Sequence, residues 1–187
     1  MSGRFEVVAS PLEGLFVIER RPILDSRGYL ERMFCAEEMG EFVGKREIIQ
    51  INRTQTLGIG TVRGLHFQYP PYAEMKIVSC LRGEVFDVAV DLRRDSQTFL
   101  HWYGERLSAD NHRTMVIPEG FGHGFQALAD DCELLYFHTS PYCADAEGGV
   151  NALDPRIGIL WPEHIVSMSD RDKGLAMVTS QFSGIDA

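Results

Sequence analysis

Two histidines stand in apolar, glycine-flanked segments: Arg63-Gly64-Leu65-His66-Phe67-Gln68 and Ile117-Pro118-Glu119-Gly120-Phe121-Gly122-His123-Gly124-Phe125. Imidazole exchanges protons near neutral pH, so two such rings carried by strands into one pocket would suit acid–base chemistry. Arg63, three residues before His66, adds a fixed positive charge for an anionic ligand. Metal binding is the other chemistry open to paired histidines. A lone strand histidine is more commonly a core residue with one satisfied hydrogen bond. Here His66 and Gln68 share a strand face, so two polar groups enter one space. Arg63 would point the other way on a regular strand, but Gly64 allows a bulge that re-aims it.

His123 closes a Pro118-x-Gly120-x-x-His123 spacing that matches the second metal motif of cupins. The first cupin motif needs a His-x-His pair and a glutamate soon after, and Gln68 stands where the second histidine belongs. Catalytic metal sites normally take three protein ligands, so the spacing favours a site without metal. Lys76, in Ala73-Glu74-Met75-Lys76-Ile77-Val78, sits inside an apolar strand. Burying an ammonium is costly, so it either snorkels outward or faces a polar pocket. Tyr136 and Tyr142 flank Phe137-His138-Thr139-Ser140-Pro141. Packing is the commoner work of tyrosine, but a phenol at a barrel mouth also serves as a protonated general acid. Asp172, after Ser169-Asp170-Arg171, reads by itself as part of a solvated charge cluster.

The elements that must position these groups are strands. Residues 84–92 alternate, with Phe86, Val88, Val90 and Leu92 on one face and Asp87 and Asp91 on the other. Similar runs occur at 5–9, 15–21, 61–68, 74–81, 113–118, 122–128 and 132–139, with turn signals about every ten residues. Pro11-Leu12-Glu13-Gly14 separates the first two strands, and 35–44 is the best short-helix candidate, ending at Gly44. Many short strands point to a sandwich or jelly-roll barrel. From Pro155 a polar segment containing Trp161-Pro162 is expected to cap the barrel by strand or short helix. The 187 residues are read as one domain spanning 1–187, with 44% hydrophobic residues to build a core. A net charge of −9 and the lack of a basic run argue against nucleic acid and anionic membrane as partners. The opening Met1-Ser2-Gly3-Arg4-Phe5-Glu6 lacks the apolar core of a signal peptide. The four cysteines have no CxxC spacing and are read as reduced thiols of a cytoplasmic protein.

Taken together, the segments resemble the nucleotide-sugar 3,5-epimerases, typified by dTDP-4-dehydrorhamnose 3,5-epimerase. The likeness runs from about Arg21 to Asp172 through Asp25-Ser26-Arg27-Gly28, Gln50-Ile51-Asn52, both histidine segments, Met75-Lys76-Ile77-Val78, residues 83–93, Tyr136 to Tyr142 and Trp161-Pro162. It implies a mainly β, cupin-like jelly-roll barrel with a few short helices, usually a homodimer. It also implies a nucleotide-diphospho-sugar substrate and neither cofactor nor metal. It makes His66 the base, Asp172 its partner, Tyr136 the proton donor and Lys76 the stabiliser of an enolate. It gives diphosphate and sugar contacts to Arg27, Gln50, Asn52, Arg63, His123, Glu147 and Arg171, and base stacking to Tyr142. The implied reaction inverts C3, C5 or both, beside the C4 ketone of a 4-keto-6-deoxy nucleotide sugar. Single-centre epimerases, a metal-dependent cupin isomerase or dioxygenase, and a non-catalytic sugar-nucleotide binder are the competing readings. Departures from the pattern are Arg32 where a glutamate is usual, with Glu31 beside it, and Glu74 in place of the glutamine before the lysine.

Overall fold

The alternation along residues 84–92 becomes a strand covered on both faces, and this doubling of buried surfaces organises the molecule. The computed structural model describes residues 3–187, so Met1 and Ser2, part of the segment read as lacking a signal peptide, lie outside it. The strands are β1 (Phe5–Leu12), β2 (Leu15–Arg20), β3 (Ile23–Asp25), β4 (Gly28–Leu30), β5 (Gln50–Leu57), β6 (Val62–Gln68) and β7 (Lys76–Arg82). They continue with β8 (Glu84–Asp91), β9 (Trp102–Ser108), β10 (Arg113–Ile117), β11 (Phe121–Ala127), β12 (Asp131–His138) and β13 (Glu147–Gly149). Two one-turn helices, α1 (Gly40–Val43) and α2 (Asp170–Lys173), complete the regular structure.

One sheet has the order β1-β2-β10-β7-β12-β5, and the other β13-β6-β11-β8-β9. From β5 to β8 each successive strand joins the opposite sheet, and the chain alternates again from β9 to β12. Pairing within both sheets is antiparallel. Of the sandwich or jelly roll that the strand pattern allowed, this is the jelly-roll barrel, of the cupin-like kind that the resemblance implied. The hairpin β3–β4 stands apart as a two-stranded ribbon.

Apolar side chains form three clusters. One fills the space between the sheets, with Val78, Val85, Ala89, Leu107, Met115, Phe125 and Leu134. A second lies outside the five-stranded sheet, where Val88, Val90 and Leu92 meet Val150, Ile157, Met168 and Val178 of the C-terminal segment. A third covers the six-stranded sheet, with Ile18, Ile77 and Val116 against Met39, Phe42 and Val43. Each sheet is therefore apolar on its outer face as well, because the chain wraps back over it.

Two local readings need correction. Only Gly40–Val43 of the predicted helix 35–44 is helical; turns occupy the stretch before it, and Gly44 ends it with φ +65°. Pro11 and Leu12 belong to β1, and the turn is confined to Glu13 and Gly14. Asp87 and Asp91, on the face opposite Val88 and Val90, are as fully buried as those valines. The C-terminal segment is mostly irregular and contributes α2. All four cysteines are free thiols, with Cys80 and Cys132 buried. No helix among the described residues is long and apolar enough to cross a membrane.

Candidate active site

A bulge at Gly64 sets the geometry. β6 and β11 pair with His66 opposite His123, and the register shifts before Arg63 meets Phe125. The extra residue brings Arg63 and His66, three positions apart, to one cavity. Gly64 has φ +124°, and a Cβ there would stand 2.5 Å from the Gly124 Cα. Only glycine permits so close an approach of two strands.

The cavity encloses about 250 Å³ between the sheets. Arg63, His66, Gln68 and His123 reach it from the five-stranded sheet, and Asn52, Thr54, Lys76, Tyr136 and His138 from the six-stranded one. Glu74, Tyr142 and Glu147 also line the cavity.

His66 Nε2 lies 2.8 Å from Asp172 Oδ1. Asp172 is carried by α2, whose N-cap Ser169 accepts the Asp172 amide through Oγ at 3.0 Å. Its second oxygen accepts the Gly64 N–H at 3.2 Å. The carboxylate is thus held from two sides and accepts a hydrogen bond from Nε2–H, which leaves the lone pair of the neutral ring on Nδ1. Burial holds the His66 pKa below its ordinary 6.5, outweighing the opposite pull of Asp172. The ring is therefore neutral near pH 7, the form a general base needs. His123 Nε2 makes the equivalent contact, 2.8 Å from Asp87 Oδ1.

Lys76 Nζ lies 3.0 Å from Glu74 Oε1 and donates to the His66 carbonyl at 3.2 Å, linking the two sheets. Glu74 Oε2 lies 2.8 Å from His138 Nδ1. Burial pushes the Glu74 carboxyl up, but the His138 bond and the Lys76 charge together leave it below the usual glutamate value. Burial, and then the nearby charge of Asp87, drive the Tyr136 phenol far above its ordinary value, so the hydroxyl keeps its proton. The Tyr136 ring lies edge-on to His123 and nearly parallel to His138, with centroids 5.9 Å from each.

At the rim, Tyr142 donates its hydroxyl to Glu147 at 2.9 Å, and Glu147 also pairs with Arg171. The Tyr142 amide donates to Gln50 Oε1 at 3.1 Å, and Gln68 Oε1 accepts the Cys143 amide at 2.7 Å. Gln50 and Gln68 thus fix the loop that presents Tyr142.

Most of the sequence-derived site residues converge here; Arg27 does not. It sits on the β3–β4 hairpin with its side chain 88% exposed, paired with Asp25 at 2.7 Å. The departures Glu31 and Arg32 are also outside the cavity: Glu31 binds Arg20 at 2.9 Å and His112 at 2.8 Å, and Arg32 pairs with Glu38. Sequence reading missed His138 and Thr54 as wall residues, and Asp87 as the buried partner of His123. The signal for Asp87 was its place in an apolar strand, the same signal that singled out Lys76. Among the described residues, no three His, Cys, Asp or Glu side chains come together as a metal ion would require.

Residues 9–180 match the family model described as dTDP-4-dehydrorhamnose 3,5-epimerase. The chain is 40% identical over 167 residues to the dTDP-4-dehydrorhamnose 3,5-epimerase of Shigella flexneri, covering 89% of this chain and 92% of that one. It is 37% identical over 176 residues to the dTDP-4-dehydrorhamnose 3-epimerase of Streptomyces niveus, covering 93% and 84%. The dTDP-6-deoxy-D-glucose-3,5-epimerase of Legionella pneumophila, solved in complex with dTDP-4-keto-L-rhamnose, superposes with a TM-score of 0.88 at 35% identity, covering 92% of both chains. Fold and site together define an isomerase built on a cupin-like jelly roll. More narrowly, the chain belongs to the dTDP-4-dehydrorhamnose 3,5-epimerase family.

Proposed function

We propose that this chain inverts C3 and C5 beside the C4 ketone of a dTDP-linked sugar, converting dTDP-4-dehydro-6-deoxyglucose to dTDP-4-dehydrorhamnose. The observation that carries this reading is a neutral, accessible His66 backed by Asp172 on one sheet, with Lys76 and a protonated Tyr136 on the other. The ketone acidifies the C–H bonds next to it. His66 Nδ1 removes one of those protons, and Asp172 stabilises the imidazolium. The electron pair moves onto the ketone oxygen, where the Lys76 ammonium stabilises the enolate. Tyr136 returns a proton to the carbon from the opposite sheet, so the centre inverts. These steps need no cofactor and no metal.

Arg63, Asn52, His123, Gln50, Glu147 and Arg171 hold the sugar and diphosphate in this reading, and Tyr142 stacks on the base. Arg27 then serves a second copy of the chain. Its hairpin exposes Leu24, Tyr29 and Leu30, the apolar surface a homodimer would cover. We read the chain as a single cytoplasmic domain.

Similarity to the Streptomyces niveus 3-epimerase favours a second reading, inversion at one centre only. Incubation with dTDP-4-dehydro-6-deoxyglucose in deuterium oxide, followed by NMR, separates the two. Exchange and inversion at both C3 and C5 is the expected result, and exchange at C3 alone establishes the second reading. Absence of exchange at either carbon would refute both. In Tyr136→Phe, deuterium exchange should persist while net inversion falls steeply; normal inversion would remove Tyr136 as the donor.

A further inference from the structure

Three histidine–carboxylate pairs surround one cavity, and the proposed chemistry uses the imidazole of one. His138–Glu74 has no counterpart in that scheme, and Glu74 is a departure from the family pattern. The geometry points to Glu74 and His138 as a positioning pair that aims the Lys76 ammonium at the ketone oxygen. This rests on the reading of Lys76 as the enolate's partner.

A lysine ammonium has three N–H donors. Glu74 Oε1 at 3.0 Å and the His66 carbonyl at 3.2 Å take two of them. The tetrahedral nitrogen then fixes the direction of the third, which is left for the cavity that Lys76 lines. Glu74 is itself held, because Oε2 lies 2.8 Å from His138 Nδ1. The other nitrogen of His138 lies 3.3 Å from Asn52 Nδ2. A neutral ring with its proton on Nδ1 satisfies both contacts, donating to Glu74 and accepting from the amide. The chain of contacts runs from β5 through β12 to the start of β7, three neighbouring strands of one sheet. Lys76, Glu74 and His138 all have buried side chains, no more than 10% exposed.

A carboxylate beside a forming enolate opposes the new negative charge, so electrostatics alone does not account for Glu74. Orientation does. With the ion pair assembled before substrate arrives, Lys76 needs no rearrangement when charge develops. A purely structural role would also keep the buried ammonium neutralised, and the two roles separate in kinetics.

The test compares E74A, E74Q, H138A and H138N, with K76M as control. The readouts are kcat and KM for deuterium exchange into dTDP-4-dehydro-6-deoxyglucose, and the Kd for dTDP. E74A and H138A should lower kcat by about 10- to 100-fold, the scale of a misplaced catalytic group, with the dTDP Kd within about twofold. E74Q retains an oxygen for Lys76, and H138N retains an N–H for Glu74, so both should recover most of the loss. If E74A does not fold, H138A against H138N carries the same comparison. Folded E74A or H138A exchanging within about twofold of the parent would overturn the proposal, as would a loss matched in dTDP affinity and not rescued by the conservative variant. Slow K76M with normal E74A and H138A would remove the positioning pair alone. Normal K76M would remove the Lys76 reading, and the pair with it.

Discussion

His66 and His123 sit opposite each other on β6 and β11, each with Nε2 2.8 Å from an aspartate oxygen, yet their surroundings diverge. Asp172 comes from α2 and has a backbone donor on its second oxygen. Asp87 comes from the adjacent strand β8, and its Oδ2 has no hydrogen-bond partner among the described residues. The His66 side chain is 32% exposed, the His123 side chain 6%. The same bond thus supports two different jobs. A base needs an open nitrogen and a carboxylate that can receive imidazolium charge without moving. A buried pair with an unmatched oxygen is better suited to shaping a wall and raising the neighbouring Tyr136 phenol.

The largest effect should come from the open pair. His66→Asn carries no basic nitrogen, so exchange should fall by roughly 10²–10⁴-fold in the folded variant. Full exchange in the folded variant would move the base elsewhere and erase the distinction. His123→Ala breaks the buried pair and strands Asp87, which should cost about 3–5 kcal/mol of stability in denaturant unfolding. An unchanged midpoint would mean that Asp87 is not an uncompensated charge there. The two pairs would be interchangeable if His123→Ala were fully stable and as slow as His66→Asn.

The pH dependence sharpens the contrast. The His66 pKa is held below 6.5 in the folded chain, so kcat/KM should stay flat down to about pH 6.5 and drop only at lower pH as the imidazole gains a proton. The same depressed value links to stability: its contribution is complete above the unfolded value near 6.5 and is lost as pH falls through the folded one. An acid limb centred above pH 7 would contradict a neutral resting base. The smallest effect belongs outside both pairs. Tyr142→Ala should weaken dTDP binding by about 1–3 kcal/mol, while Tyr142→Phe leaves turnover intact. Titration calorimetry with dTDP reads this directly, and equal binding by Tyr142→Ala would exclude stacking.

What the sequence disclosed follows from how local each signal is. His66, Lys76 and Tyr136 were visible because polar groups inside apolar strands need a reason, and Gly64 marked the bulge that turns Arg63 and His66 together. The burial of Asp87 was hidden. Alternation separates two faces but does not say whether the apolar one looks inward, and on β8 the apolar face meets the C-terminal segment instead. The Glu74–His138 contact spans 64 positions and depends on the pairing of β7 with β12, which no local pattern encodes. The exposed setting of Arg27 likewise depends on where a short hairpin leaves the barrel. Along 35–44 the terminating glycine was legible, but only the turn ending at Gly44 became helical.

Asp172 lies 106 positions beyond His66, and that interval gives the molecule a timetable. Every strand from β1 to β13 precedes residue 170 in the chain. The strands that line the cavity are therefore made before the carboxylate that pairs with the imidazole. In the proposed reaction the base meets its carboxylate only once the segment after β13 docks over the barrel, so the last-made part of the described fold completes the first-made part of the site.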